Sequence, residues 1–375
     1  MRSASSSDVI VIGAGVVGLS TARALAGRGA RVLIVERRRV GAEASSAAAG
    51  MLSPQAESES DSPLLELGLK ARSHIEALVP VLEGETGMAL DYSSRGLIEV
   101  AFSEEQAGEL QTRLAWQRAR GLVVEPLSAD DLRQAEPNLA PSARFGLLVP
   151  GDHRIDNVRL TRALAASAVA RGAALLSGRP VLSLLAESGR VQGVRAGHEI
   201  HRAPVVVNAA GAWAGLLGGD PAPPPVEPIR GQIVAFDVAP PALRHVVVSP
   251  RGYLVPRGDG RILAGSTSER AGFDKSVTAA GLRGILDAAI EMTPFVADVP
   301  VADTWAGLRP GTPDGLPILG PGALPGLVHA AGLFRNGILL GPLVGEIAAD
   351  LATGRAPGVD TTPFSPARFG AAAGA

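Results

Sequence analysis

Residues 8–36, DVIVIGAGVVGLSTARALAGRGARVLIVE, decide the fold. Val9–Ile12 is an apolar run with the length of one buried strand. It leads directly into Gly13-Ala14-Gly15-Val16-Val17-Gly18, a complete GxGxxG. A helix-period segment follows to about Gly27, and a second apolar run, Val32–Val35, ends in Glu36. Each glycine has a physical task in a dinucleotide-binding turn. Gly13 permits the tight strand-to-helix turn, Gly15 lets the backbone approach a pyrophosphate, and Gly18 lets helix and strand pack closely. The helix then aims its unpaired N–H groups and the positive end of its dipole at the phosphates. Glu36 lies 18 residues beyond Gly18, where an acid can hydrogen-bond a ribose hydroxyl. GxGxxG alone is a weak signal; with a strand before it, a helix after it and an acid ending the next strand it becomes specific.

Composition bounds the rest. At 375 residues the chain has length for two or three domains, and 46% apolar residues suits a soluble globular protein. With 46 Gly and 29 Pro it is rich in turns and close backbone approaches, and it shows no repeat period. A net charge of −2 argues against a nucleic-acid partner. No stretch approaches the ~18 uninterrupted apolar residues of a membrane span. The opening MRSASSS lacks the apolar stretch of a signal peptide, so a cytoplasmic protein is expected. The absence of cysteine excludes disulfides, thiolate metal sites and a redox-active pair. There is no HExxH, nucleophile elbow or P-loop, so no metal is expected.

Beyond Glu36, the small-residue stretch Ala42–Gly50 leaves little bulk to keep a flat ligand from the backbone; a flexible loop is the alternative. Helical periodicity covers 63–82, and Asp91–Phe102 has the pattern of a strand. Ser103 with Gln106 forms a capping pattern for a helix to about Arg120. Ser128 is placed to cap a short helix ending before Pro137, and Asp156 to cap one over 157–171. Strand, turn and strand over 180–207 end in Val205-Val206-Val207, followed by the small residues Asn208–Gly211. After the Pro-rich 221–228, the β-rich pattern of 229–267 predicts an antiparallel sheet, and a helix follows over 279–291. The stretch LVHAAGLFRNGILLGPLVGEIAADLATG repeats the strand, Gly-rich turn and helix grammar of the N terminus; the tail from Ala356 is expected to be ordered in part at most. The expected fold class is α/β (α+β overall), a Rossmann-like FAD-binding domain with a second antiparallel β-sheet substrate domain. The first is assigned 1–80, 155–215 and 305–375, the second 81–154 and 216–304. A nicotinamide enzyme more often keeps its nucleotide domain contiguous, so the return of the chain at 305–354 points to a permanently held flavin.

Several stretches resemble the FAD-dependent amine and amino-acid oxidases of the D-amino-acid oxidase superfamily, and most of all its thiamine-pathway glycine oxidases. They are AAAGMLSPQAE (47–57), EPNL (136–139), VVVNAAGAWAG (205–215), IRGQIVAF (229–236), GYLVPRGDGRILAGSTSERAGFD (252–274), WAGLRPGTPDGLPILG (305–320) and FRNGILLGPLVGE (334–346). The resemblance implies non-covalent FAD, a small amino-acid substrate, O2 as acceptor, peroxide as product, and a homo-oligomer, often a tetramer. Residue by residue it implies that Gly13, Gly15, Val16, Val17, Gly18, Glu36 and Arg37 hold the ADP part. Ser45, Ser46, Ala49, Gly50, Met51 and Leu52 would lie along the flavin, and Val181 by the adenine. Asn208, Ala209, Gly211 and Trp213 would pack near the pyrophosphate and ribityl chain. Arg309 would bind the substrate carboxylate with Tyr253 beside it, and Arg335, Asn336, Gly337, Ile338 and Leu339 would close the flavin site, Arg335 serving catalysis as well.

The chemistry agrees with these roles. Oxidising an amino acid at a flavin needs its α-carbon held at near-attack distance, so a carboxylate clamp does most of the positioning. An arginine fork suits that clamp because it pairs with a carboxylate through two charge-assisted bonds. Hydride leaves directly for the flavin, so a neutral amine is required and a general base at Cα is not. A helix starting at Gly337–Ile338 would favour the negative charge of the reduced ring. Met51, Arg251 and Ser268 are expected in the substrate pocket. Arg251 stands where the family has a histidine and Ser268 where it has a methionine, and the added cation is compatible with an acidic substrate or with a side chain facing solvent. The sarcosine-oxidase branch, with its cysteine-linked flavin and lysine over the ring, is disfavoured by the lack of cysteine and the position of the only lysines, Lys70 and Lys275. Three rival readings stay open: a dehydrogenase using a quinone or protein acceptor, a flavin monooxygenase, and a partner-binding protein with structural FAD. His153, between Asp152 and Arg154, has the setting of a structural or surface histidine.

Overall fold

The computed structural model describes residues 7–238 and 242–370; the MRSASS start and the last five residues, both within the expected terminal tails, lie outside them. Val9–Ile12 is buried along its whole length and sits inside a six-stranded sheet. Its neighbours are Val32–Val35 on one side and Val205–Asn208 on the other, both parallel to it. Beyond them lie Ala174–Leu176 and Leu327–Ala331, also parallel, and Ile318–Pro321 closes one edge antiparallel.

Alternation along the strands builds a three-layer unit. Val9 and Val11 face a core of helices, Val16–Gly27, Pro63–Thr86, Asn157–Ala170 and Gly337–Ala352. Ile10 and Ile12 face the other way, onto a three-stranded antiparallel sheet of Val181–Glu187, Arg190–Ala196 and Glu199–Arg202. The last of those strands is missing from the sequence reading because it is short and mostly polar. The Val16–Gly27 and Gly337–Ala352 helices meet where side chains are smallest. A Cβ on Gly341 would lie 2.7 Å from Val16 Cγ1, and one on Gly345 would lie 2.4 Å from Ser20 Cβ.

The second sheet has eight strands, in the order Val301–Gly311, Glu227–Asp237, Arg261–Gly265, Gly252–Pro256, Val246–Ser249, Leu97–Ala101, Phe145–Val149 and Glu125–Ser128. All neighbours are antiparallel except Val246–Ser249 with Leu97–Ala101. One face, with Val234, Phe236 and Leu254, packs on the Ala279–Met292 helix. The opposite face, with Ile233, Tyr253, Val255 and Leu263, packs against Ala49 and Met51. Tyr253 is thereby turned toward the Ala49–Met51 stretch.

The expected caps are present: Ser103 Oγ accepts from Gln106 N, Ser128 forms a capping box with Asp131, and Asp156 accepts from Val158 N and Arg159 N. One expectation differs: only Leu97–Ala101 of the 91–102 stretch is a β-strand, because Gly96, at φ +93°, breaks the extended run just before it. The Val301–Gly311 strand pairs along its length with Glu227–Asp237 of the second sheet. Of the tail from Ala356, the described residues up to Gly370 fold back: Phe364 is 2% exposed within the helical core, and Arg368 donates to Asp314 and to the Leu316 carbonyl.

Candidate active site

The turn after Val9–Ile12 is held from several sides. Ala14 N donates to Glu36 Oε2 at 2.8 Å and Arg38 N to Glu36 Oε1 at 2.8 Å. Val16 N donates to Ser45 Oγ at 3.0 Å. Gly13 has φ +101°, and a Cβ there would sit 2.6 Å from the Ala209 carbonyl oxygen; a Cβ on Gly18 would sit 2.0 Å from the Gly13 oxygen. Gly18 therefore serves packing, as its position in the motif suggests. Below the facing turn, the buried Asn208 donates through Nδ2 to the Ala214 carbonyl and accepts from Ala210 N. The Asn208 side chain thus shapes the Ala209–Gly211 bend from underneath.

A long cleft runs over these turns. Its outer part is lined by Gly13, Glu36, Arg37, Val181, Gly211 and Trp213. The Arg37 guanidinium lies 3.8 Å from the centre of the Trp213 ring, which stacks on Phe273 at 5.1 Å. Gly15, Ala44, Ser45, Ala209, Gly211 and Leu308 line both this part and an inner cavity. The inner cavity is walled by Val16 and Val17, Ala47–Met51, Gly307–Pro310 and Ala330–Ile338, with Tyr253 among its further lining residues. Its walls are close-fitting: a Cβ on Gly50 would meet the Ile155 oxygen at 2.0 Å, and one on Gly307 would meet Ala47 Cβ at 2.4 Å.

This cradle fits a dinucleotide whose far end carries a flat ring. Two helices, Val16–Gly27 and Gly337–Ala352, begin at the cleft, and neither is capped by its own N-cap side chain. Their first-turn N–H groups and dipoles favour anionic groups at both places. Among the described residues no group of three or more metal-binding side chains occurs.

Arg309 crosses the inner cavity over Gly231, where a Cβ would lie 2.1 Å from Arg309 Nη1. Its Nη1 donates to the Thr267 carbonyl at 3.0 Å and its Nη2 to Ser266 Oγ at 2.6 Å. Burial pulls this guanidinium below its ordinary pKa, and the Tyr253 hydroxyl beside it acts in the opposite sense. Among the described residues, no carboxylate forms an ion pair with Arg309. Arg335 differs: its Nε donates to Glu57 Oε2 at 3.1 Å, and Glu57 holds the guanidinium above its usual value.

The sequence-derived residues are therefore brought together unevenly. Gly15, Val16, Val17, Ser45, Ala49, Gly50, Met51, Tyr253, Arg309, Arg335, Asn336, Gly337 and Ile338 line the inner cavity. Leu52 and Leu339 are buried in the helical core. Ser46 lines a separate cleft behind Ala47, and its carbonyl accepts from Asn157. Ser268 is exposed and lines neither cavity; the chain leaves the strand at Gly265, so Ser266 faces Arg309 instead. Arg251 lines the neighbouring chamber instead, with its half-exposed guanidinium paired to Glu291. Sequence reasoning missed Gly231, Ser266 and Glu57. All three lay within quoted stretches, Glu57 in 47–57, Gly231 in 229–236 and Ser266 in 252–274, but none was singled out there.

Residues 8–351 match the family model described as FAD dependent oxidoreductase. The chain is 38% identical to a glycine oxidase of Geobacillus kaustophilus over 96% of both chains. It is also 35% identical to a bifunctional protein ThiO/ThiG of Synechocystis, over 97% of this chain and 54% of that one. The crystal structure of glycine oxidase from Geobacillus kaustophilus superposes with a TM-score of 0.93 at 36% identity, covering 96% of this chain and 98% of that one. That of iminodiacetate oxidase from Chelativorans superposes with a TM-score of 0.88 at 29% identity, covering 96% and 98%.

Proposed function

The chain belongs to the FAD dependent oxidoreductase family, and from that premise we propose that it oxidatively deaminates glycine or a similar small amino acid or amine, such as sarcosine or a small D-amino acid. The products are the 2-oxo acid (glyoxylate from glycine), ammonia or an amine, and hydrogen peroxide. The observation that carries this reading is Arg309, a largely buried guanidinium without a carboxylate partner among the described residues, placed in the inner cavity beside Tyr253. A buried unpaired cation is costly. A substrate carboxylate arriving there compensates it, and the guanidinium fork fixes the orientation of that carboxylate.

FAD, when bound, would accept the hydride leaving Cα, which carries both electrons. The rest is the work of the chain. Arg309 holds the carboxylate, while Ser266 and the Thr267 carbonyl fix the plane of its guanidinium. Tyr253 offers a hydroxyl next to that clamp. The Gly337–Ala352 helix directs its N-terminus into the cavity, where it favours developing negative charge. Arg335 and Glu57 lie at the boundary between this cavity and the next chamber. Glu36, Arg37 and Trp213 line the part of the cleft assigned to the adenosine end.

The likeness to a ThiO/ThiG protein supports a role in thiamine biosynthesis. A cytoplasmic homo-oligomer is part of the same proposal. The proposed division has a nucleotide unit of 1–80, 155–215 and 305–375, with a substrate unit formed by 81–154 and 216–304. Steady-state oxygen consumption with glycine, sarcosine, D-alanine and D-proline tests the proposal, with glyoxylate, ammonia and peroxide assayed from glycine. Equimolar glyoxylate and peroxide are expected. Amine oxidation that proceeds only with an added quinone would make the chain a dehydrogenase.

A further inference from the structure

Next to the inner cavity lies a second chamber, and the two share Met51, Ser53, Glu57, Tyr253 and Arg335 as a common wall. A substituent on the substrate nitrogen or Cα too long for the inner cavity would have this chamber as the adjoining space. Its charge is therefore a matter of specificity.

Four glutamates line it, Glu57, Glu59, Glu99 and Glu109, against Arg113, Arg251 and Arg335. Arg251 pairs with Glu291 on the Ala279–Met292 helix and is half exposed. Arg335 is neutralised by Glu57. Arg113 donates to Glu99 Oε2 and to the Ala56 carbonyl. Glu59 and Glu109 are exposed, as Arg251 is, so the less exposed charges that wall the chamber are the Glu57–Arg335 and Glu99–Arg113 pairs.

Glu99 is the decisive group. It is 4% exposed, and its second oxygen, Oε1, is buried with no hydrogen-bond partner. Burial pushes Glu99 up to about 7 despite Arg113, with Asp152 adding to the rise. Such an acceptor gains most from a donor that also brings positive charge.

Building on the reading of the inner cavity as an amino-acid oxidase site, we propose that this chamber receives a short substrate tail ending in an ammonium group, with Glu99 as its acceptor. The favoured substrate class is then amino acids bearing a second amino group, such as N-(aminoalkyl)glycines, ahead of neutral or acidic N-substituted glycines.

The test compares N-(2-aminoethyl)glycine, N-propylglycine and iminodiacetate, each relative to sarcosine, in kcat/KM. About a tenfold preference for the cationic tail over the neutral one is expected, as for a charge-assisted hydrogen bond of about 1.4 kcal/mol, with iminodiacetate the poorest. Glu99→Gln is expected to bring the preference below threefold. Each ratio is read within one enzyme, so a general loss of activity cancels. A second arm uses the non-oxidisable ether acids (2-aminoethoxy)acetate, propoxyacetate and diglycolate, with binding to the wild-type holoenzyme read from the flavin spectrum. The same order of affinity is expected. Equal or better binding and turnover of the neutral or anionic tails overturns the proposal, as does a preference that persists in Glu99→Gln. If sarcosine is oxidised without any charge preference, the chamber proposal fails and the oxidase reading stands. If no amine is oxidised but the ether acids bind in the expected order, the oxidase reading fails and the chamber proposal stands.

Discussion

Replacing Arg309 by alanine separates its role toward substrate from its role in the fold, because the two effects have opposite signs. In the folded protein the guanidinium donates to the Thr267 carbonyl and to Ser266 Oγ, lies against Gly231 and faces no carboxylate ion-pair partner among the described residues. Its burial is therefore a cost to the protein without substrate, as the downward displacement of its pKa shows. Truncation removes that cost along with two hydrogen bonds, and the space it leaves joins an existing cavity. Stability is expected to stay within about 2 kcal/mol of wild type, since each lost bond from the charged guanidinium is worth about 1.5–3 kcal/mol and relief of the buried, unpaired charge, worth several kcal/mol, offsets them. With substrate bound, the same change removes two charge-assisted bonds of about 1.5–3 kcal/mol each, or about 3–6 kcal/mol in all. At 1.4 kcal/mol per tenfold, kcat/KM for glycine falls by about 10²- to 10⁴-fold. The assay pairs steady-state kinetics with Tm and the ratio of flavin to protein. Loss of activity below tenfold, or a drop in Tm of many degrees with loss of flavin, refutes the reasoning, because Arg309 would then be a structural residue.

Three further outcomes are expected. Gly13→Ala places a Cβ 2.6 Å from the Ala209 oxygen at a φ of +101°. At about 1–3 kcal/mol for such strain, the flavin content after purification or dialysis should fall clearly, while unchanged content would remove Gly13 from the cofactor turn. Tyr253→Phe deletes only the hydroxyl beside Arg309, so KM for glycine should rise by about fivefold, corresponding to about 1 kcal/mol, and kcat should change less. Glu85 is raised by burial, but hydrogen bonds from Ser167, Arg171 and Arg23 outweigh this and hold it at about 2, below its ordinary 4.5. A depressed carboxylate stabilises the fold above its unfolded pKa, so this contribution is intact above about pH 4.5 and is lost as pH falls toward 2. In Glu85→Gln that acid-dependent part of the Tm should disappear, and an unchanged Tm profile would exclude the pair of arginines as its source.

The first sheet was legible because its signals are local. The Gly13–Gly18 turn, the two apolar strands and the caps at Ser103, Ser128 and Asp156 each depend on a few neighbouring residues. The Val301–Gly311 strand was less legible: its partner, Glu227–Asp237, lies far away in sequence, so a stretch quoted as one motif is split between the two sheets. The same limit applies to the site. Glu36 carries the expected acid, yet its two oxygens accept from Ala14 N and Arg38 N, a fastening that spacing alone does not reveal. Arg251 is visible as a charge, but its direction is set by Glu291, 40 residues onward. The exchange of Ser268 for Ser266 follows from where the strand ends, and the unpaired state of Arg309 is a property of what the fold keeps away from it.

The most direct test of the central claim is anaerobic mixing of the purified flavoprotein with glycine and with sarcosine, followed by readmission of air. The account predicts bleaching of the flavin by at least one of them, then rapid return of colour with one peroxide formed per bleached flavin. A flavin that no small amino acid bleaches would contradict it.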